Sequence, residues 1–516
     1  MVAMTFVEEV PSGWHRLIVE PRRPAAIRNL PDGSMLAVAA VCIGAFMGQL
    51  DASIITLALP ELERSFHSGV GDVSWVGLSY LLVLVATVAA VGRFADMAGR
   101  KLLYVYGFVI FIAGSALCAT ASSLGMLDVY RAVQAIGAAM LQANSVAIIA
   151  LAVPRGKLGR ALGIQGAAQA VGLALGPSVG GLLLTIGSWR LLFLINVPVG
   201  LLGVVAALLF IPRSTHLQQR VGFDWFGFAI FFPAVAAFMY AISQGDHHGW
   251  SSPVIVTTIV LAMVLGTGFI LWERRRQSPM IDISMFARKK FSSGISGSLL
   301  AFAVMFGVLV VVPFYLERGA GLGTARTGLE LMAMPVALGV VAPVSGRFAD
   351  RFGVRRPVAA GMGLAVAGLI GLGLLHPTGT GLVGLLALVG AGLGLFNSPN
   401  NAGIMASVRA EESGAASGLL NMSRGLGTAL GLAIATAVFA GLGGDGGAMS
   451  TVQHAFSITA LVLAGLAAAA GIVTALGSDD QPLAHRSIES ESVAIRSDRA
   501  LGGEHRAPPA GPLPHS

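Results

Sequence analysis

The chain has 516 residues, of which 55% are hydrophobic and only 11% charged, with a net charge of +7. A mean hydropathy of +0.78 excludes an ordinary soluble protein, whose cores bury far less apolar sequence than this. The sequence pI near 9.8 invites a nucleic-acid partner, but the placement of the basic residues gives it another cause.

A helix crossing about 30 Å of hydrocarbon needs roughly 20 mostly apolar residues. The first such run, 34–58, carries one internal carboxylate, Asp51. It lacks a small-residue cleavage site and is read as a retained helix, not a signal peptide. Runs at 73–91, 102–121, 126–152, 161–186 and 191–211 complete a first set of six. Two more follow at 223–243 and 253–272. A second set of six occupies 291–316, 328–346, 357–375, 380–401, 413–440 and 454–476. A soluble core imitates two or three such runs, not fourteen in succession. The fold class is therefore an all-α polytopic membrane protein with fourteen transmembrane helices. The expected units are a cytoplasmic tail (1–33), a six-helix bundle (34–211), an inserted helix pair with flanking segments (212–290), a second six-helix bundle (291–476) and a disordered cytoplasmic tail (477–516). Cys42 and Cys118 fall inside apolar runs, so neither a disulfide framework nor a metal cluster is expected.

Lys and Arg orient the chain. Of the 33, only Arg64, Arg190, Arg318 and Arg326 fall in the loops opposite the termini, and Arg131 and Arg424 lie within runs. The positive-inside rule then places both termini in the cytoplasm and explains the basic pI without nucleic acid. Trp75, Trp189, Trp225, Trp250 and Trp272 stand at run ends, where amphipathic rings settle at an interface. The segment 273–290, with its Arg274–Arg276 and Arg288–Lys290 clusters, reads as an interfacial stretch beside anionic headgroups.

An internal repeat is present. Gly92-Arg-Phe-Ala-Asp96 with Gly99, Arg100 and Lys101 recurs as Gly346-Arg-Phe-Ala-Asp350 with Gly353 and Arg355. The fifth run of each set also carries a GxxxG pair, Gly172/Gly176 and Gly427/Gly431. Two pseudo-symmetric six-helix bundles plus two inserted helices follow, an arrangement by which secondary transporters build a mid-membrane site. Residues Gly92 to Lys101 resemble the loop signature of the major facilitator superfamily. Four further stretches are similar to motifs of its fourteen-helix drug:proton antiporter family: Leu50 to Pro60, Arg131 to Ala139, Gly172 to Gly181, and Trp189-Arg190 with Asn196 to Gly200. Ala135 stands where the second of these usually has Gly, and Glu317 where the ninth helix often ends in Gln. The resemblance implies that the Gly172, Gly176, Pro177, Gly180 and Gly181 face seals against leak, and that the Gly92–Lys101 and Gly346–Gly353 segments latch the cytoplasmic side.

The residues themselves point to a site. A carboxylate within a span costs about 2.5–3.5 kcal/mol on insertion scales, so Asp51 is a functional candidate. Arg131 lies at similar depth in the antiparallel fourth run and pairs with Asp51 if the two helices are neighbours. Gln134 shares its face at i, i+3. These three are the expected proton-coupling residues, with a permanent structural ion pair as the alternative. Glycines recurring every four residues bring two backbones together, and Pro177 is expected to add a bend. Gly92 and Gly99 are expected in tight turns, Asp96 as a helix-end acceptor, and Arg100 and Lys101 reaching phosphates or acids. Asn421 and Arg424 share a face in the second set, and a buried Arg there needs a partner. Asp224 and Glu330 read as solvated or interfacial. Met47, Met140, Phe302, Met305, Phe306 and Phe396 are candidates for an adaptable apolar cavity, against ordinary packing.

Gly156-Lys157 lacks the spacing of a phosphate loop, Gly390, Gly392 and Gly394 lie within a run, and His247-His248 has no third ligand. No ATP site or cofactor is expected, so an ion gradient supplies the energy, with the proton as coupling ion. One charge through 100 mV yields about 2.3 kcal/mol and each pH unit roughly 1.4. The expectation is a plasma-membrane exporter, not an enzyme, that exchanges protons for apolar or cationic small molecules among membrane lipids. An exporter of one metabolite, lipid or self-made antibiotic is the alternative, and a non-transporting scaffold the remote one.

Overall fold

The computed structural model describes residues 20, 23–24, 33–68, 70–214, 223–276, 279–316, 322, 324–409, 412–443 and 449–478. These form helices and turns, and fourteen of the helices are long and apolar enough to span a membrane. They are α1 (Gly33–Phe66), α2 (Val70–Ala98), α3 (Arg100–Thr120), α4 (Leu124–Ala152), α5 (Leu158–Ile186), α6 (Arg190–Phe210), α7 (Trp225–His248), α8 (Pro253–Glu273), α9 (Lys289–Phe314), α10 (Arg326–Phe352), α11 (Arg355–Leu375), α12 (Thr380–Ala406), α13 (Ser413–Gly441) and α14 (Met449–Gly477). An even number of crossings brings the start of α1 and the end of α14 to the same side, the tail face.

Helix starts follow local chemistry. The Ser123 hydroxyl accepts from Met126 N at the head of α4, and the Asp224 carboxylate from Gly227 N at the head of α7. Ser252 caps α8, with Pro253 at its first position. Helix α6 is broken between Leu194 and Asn196. Pro198 has no N–H to offer the Leu194 carbonyl and its ring crowds it, so the helix restarts at Asn196.

In the first set α1 packs on α4, α5 and α6, α2 on α4, and α3 on α4 and α6. The second set repeats this: α9 packs on α12, α13 and α14, α10 on α12, and α11 on α12 and α14. The sets meet through α5 against α10 and α2 against α13, with α4 also on α13. The inserted α7 lies against α2 and α13, while α8 packs on α7 and leaves most of its apolar surface, including Val260, Leu261, Met263 and Val264, facing outward. That outward apolar coat is what a hydrocarbon environment accepts and water does not.

Several expectations change. Gly92 to Asp96 and Gly346 to Asp350 are not loops but the last turns of α2 and α10; only Gly99 (φ 109°) and Gly353 (φ 81°) take left-handed turns. Trp189 is not interfacial but 2% exposed, packed between Phe66 and Phe193. Asp224 and Glu330 are not solvated: Asp224 accepts from Trp272 Nε1 at 2.8 Å, and Glu330 pairs with Arg326 at 3.0 Å. Arg274–Arg276 are exposed, as an interfacial cluster requires, but Arg288 is tied back to Glu412 through two hydrogen bonds of 2.8 and 3.1 Å. Burial opposes the charge on Glu412, yet the bonds from Arg288 and Arg409 outweigh it and hold its pKa down at about 2. The C-terminal tail from 479, Glu317 and the side chains of Pro177, His247 and His248 lie outside the described residues.

Candidate functional site

A polar centre sits inside the first set. Arg131 Nη1 donates to Asp51 Oδ2 at 2.8 Å, and both side chains are 1% exposed. Gln134 Nε2 and Asn196 Nδ2 donate to Asp51 Oδ1 at 2.9 and 2.8 Å, so three donors from α4 and α6 converge on one carboxylate of α1. The donors are themselves held. Arg131 Nε donates to the Val76 carbonyl at 3.1 Å and its Nη1 to Gln134 Oε1 at 2.7 Å; Ser115 Oγ lies 2.7 Å from Gln134 Nε2. The guanidinium lies 4.2 Å over the Tyr80 ring and 5.8 Å from that of Phe193. Five helices thus fix the pair.

The sequence places Asp51 and Arg131 at similar depth with Gln134 on the face of Arg131, and the structure brings the three together. Asn196, Ser115 and Tyr80 were missed. A lone Asn in the apolar 191–211 run, two residues before Pro198, is the signal that marks Asn196: the helix break turns its amide inward.

The α5 glycines position this centre. A Cβ on Gly172 would run into the Phe46 carbonyl, and one on Gly176 into Ser53, so both glycines seat the α1 turns that flank Asp51. Ser53 Oγ donates to the Leu50 carbonyl at 3.1 Å and reaches the Gly172 carbonyl at 3.5 Å. Gly180 is buried, whereas a Cβ on Gly181 would meet open space. Helix α5 continues through Pro177 without interruption.

The repeated GRFAD segments lie at the tail face, where each crosses to the other set. Asp96 accepts from Gly414 N and Ala415 N, both at 3.0 Å, at the first turn of α13. Asp350 accepts from Gly159 N at 2.9 Å and Arg160 N at 3.1 Å, at the first turn of α5. A carboxylate at a helix N-terminus meets unpaired N–H groups and the positive end of the dipole. Gly92 and Gly346 make this approach possible: a Cβ on either would strike the carbonyl of Gly414 or Gly159. Of phosphates and acids, the partners expected for Arg100 and Lys101, the structure gives Arg100 an acid. Arg100 pairs with Asp96 at 2.5 Å, and Lys101 is buried, donating to the Leu208 carbonyl at 2.8 Å. Glu20 from the N-terminal tail closes the corner, accepting from Ser214 N at 2.6 Å and Leu102 N at 3.3 Å.

In the second set, Asn421 Nδ2 donates to the Gln142 carbonyl of α4 at 2.8 Å, a third link between the sets. Arg424 follows one turn on, 5.2 Å over the Phe302 ring. Of the cavity candidates, Met47, Met305 and Phe396 are buried in helix packing, Phe396 against Gly297 and Gly361; Met140, Phe302 and Phe306 are half-buried. Gly390, Gly392 and Gly394 let α12 touch the backbones of α10 and α11. Among the described residues no cluster of His, Cys, Asp and Glu has the makings of a metal site. A crevice lined by Trp75, Leu78 and Leu82 of α2 and by Met239, Tyr240 and Gln244 of α7 lies between the first set and the inserted pair, and Asp51 does not line it.

Comparison with known proteins bears on the family and the fold. Residues 41–432 match the model of the Major Facilitator Superfamily. The multidrug resistance protein Stp of Mycobacterium tuberculosis is 33% identical over 411 residues, covering 79% of this chain and 76% of that protein. The riboflavin transporter RibZ of Clostridioides difficile is 31% identical over 403 residues, covering 78% and 87%. Among solved structures, the human organic anion transporter MFSD10 superposes with a TM-score of 0.63 at 14% identity, over 86% of this chain and all of that one, a likeness of fold.

Proposed function

The chain belongs to the Major Facilitator Superfamily, and from that premise we propose that it exports drugs or other small amphipathic compounds in exchange for protons. The observation that carries this reading is Asp51, a buried carboxylate held by three donors inside a span. Protonation removes the ion pair with Arg131 and turns one acceptor into a donor, which breaks at least one of the three bonds. Occupancy of the proton is thereby coupled to how α1, α4 and α6 pack. Similarity to the multidrug resistance protein Stp supports drugs as the cargo.

On the positive-inside rule the tail face is proposed to be cytoplasmic, with the plasma membrane as the proposed location. On that reading the Asp96 and Asp350 contacts close the cytoplasmic side. Moving α13 off Asp96 and α5 off Asp350 opens it, and the freed N–H groups and carboxylates return to water. The cycle alternates between the two, with Gly172 and Gly176 keeping α1 seated on α5 throughout.

A direct test uses inverted membrane vesicles acidified inside, with a pH-sensitive dye and ethidium as cargo. Ethidium addition is expected to dissipate the gradient only in vesicles holding the protein. Equal dissipation in empty vesicles would remove the antiport reading. Similarity to RibZ favours a second reading, a transporter dedicated to one compound. Growth of producing and deleted cells on cationic dyes, biocides and antibiotics separates them: protection against many compounds supports the broad reading, against one the narrow.

A further inference from the structure

Buried cations in this fold come with partners. Arg131 has Asp51, Arg100 has Asp96, and Lys101 has the Leu208 carbonyl. Arg424 is 6% exposed and, among the described residues, has no carboxylate within salt-bridge distance. Its Nη1 makes one long hydrogen bond, 3.3 Å to Asn421 Oδ1, and its Nε has no partner. A guanidinium does not shed its charge to escape burial. The group therefore keeps a charge and an unused donor in the interior of the bundle, an arrangement that is costly unless something supplies the anion.

The surroundings say what kind of anion. Phe302 lies under the guanidinium at 5.2 Å, and Phe306 stacks beside it with ring planes 26° apart. Both rings are half-buried and stand on α9. Asn421 is held in place by its amide, which donates to the Gln142 carbonyl of the first set and the Ser417 carbonyl of its own helix. Its oxygen thus orients the guanidinium at the seam where the sets meet. Counting along the helices, Arg424 lies about 17 Å and Asp51 about 27 Å from the tail-face ends of α13 and α1. The two centres are separated in depth and belong to different sets.

We propose that Arg424, with Phe302 and Phe306, is a binding site for aromatic organic acids, whose carboxylate takes the guanidinium and whose ring lies against the two phenylalanines. A carboxylate accepts from two nitrogens of one guanidinium, satisfying the idle Nε. The ring adds area and stacking. This rests on the transport reading above and extends its cargo from cationic and apolar compounds to acids.

The test compares two probes that differ only in charge, radiolabelled naphthaleneacetate and naphthaleneacetamide, binding to the purified full chain in lipid nanodiscs. The acid is expected to bind about tenfold or more tightly than the amide. Arg424→Gln is expected to weaken the acid about tenfold while leaving the amide within about twofold, and Arg424→Lys to keep part of the preference. A wild-type chain that binds acid and amide alike, or binds no acid saturably, overturns the proposal, as does a Gln variant that weakens both equally. Gradient dissipation by ethidium is measured on the same purified protein reconstituted in sealed liposomes: its failure with an intact acid preference removes the export reading and leaves the acid site standing.

Discussion

The two six-helix sets share a backbone and differ in chemistry. In the first, the Phe46 carbonyl lies against Gly172 of α5; in the second, the Leu299 carbonyl lies against Gly427 of α13. That registers α1 on α9, and Asp51 falls on Val304. Gly137 of α4 touches Phe111 and Gly107, and Gly392 of α12 touches Ala365 and Gly361, which registers Arg131 on Leu386 and Gln134 on Val389. Val304, Leu386 and Val389 are all fully buried. The same crossing of helices therefore encloses an ion pair in one set and buried aliphatic side chains in the other. Close packing is carried by glycines in both; proton chemistry, in our reading, is confined to one.

The strongest way to break that comparison is to transplant the acid. Val304→Asp places a carboxylate where no donor waits, and is expected to destabilise the protein by about 3 kcal/mol or prevent insertion. Adding Leu386→Arg is expected to restore a large part, read as melting of the purified protein. An unchanged melt for the single variant would show that the second crossing accepts a lone carboxylate.

The glycine faces sharpen it next. Gly176→Leu and Gly431→Leu both force a side chain into a neighbouring helix, with a cost of about 1–3 kcal/mol each. Only the first displaces the α1 turn beside Asp51, so only it is expected to abolish gradient dissipation as well, while Gly181→Leu, which meets open space, changes neither. Equal transport loss in the Gly176 and Gly431 variants would contradict a one-sided centre.

The proposed latches come third. Among the described residues, Asp96 has two backbone donors and Arg100, and Asp350 has two backbone donors alone. Asp96→Asn is expected to open the tail face more than Asp350→Asn, by about 1–3 kcal/mol against about half that. Alkylation of a cysteine introduced beside Gly418 reads the opening, and the reverse order would assign closure to α10.

The smallest effect is at Glu412. Its folded pKa of about 2 lies below the ordinary 4.5, so its contribution is complete above about pH 4.5 and is lost as pH falls toward 2. Melting of wild type minus Glu412→Gln is expected to follow that window. A difference constant from pH 6 to 3 would show that the Arg288 and Arg409 bonds add nothing.

Much of this is legible in the sequence. Fourteen apolar runs, the GRFAD repeat and matched depths for Asp51 and Arg131 are local or periodic signals, and each of those features is found. What could not be read depends on helices distant in the chain. Gly92 looks like a turn residue, and only the approach of Gly414 explains why it lacks a side chain within a helix. Arg100 and Lys101 look like surface cations until the tail face folds over them. Trp189 has the position of an interfacial ring, and its burial follows from the way Phe66 and Phe193 close on it. Asn196 reaches Asp51 because a broken helix turns it inward, a consequence of Pro198 and packing together.

The central claim is that Asp51 exchanges the proton. Reconstituted Asp51→Asn protein, compared with wild type for ethidium-driven proton movement across an imposed pH gradient, tests it most directly. The account predicts that the variant, folded and inserted, moves protons no faster than protein-free liposomes. Proton movement at the wild-type rate would contradict it.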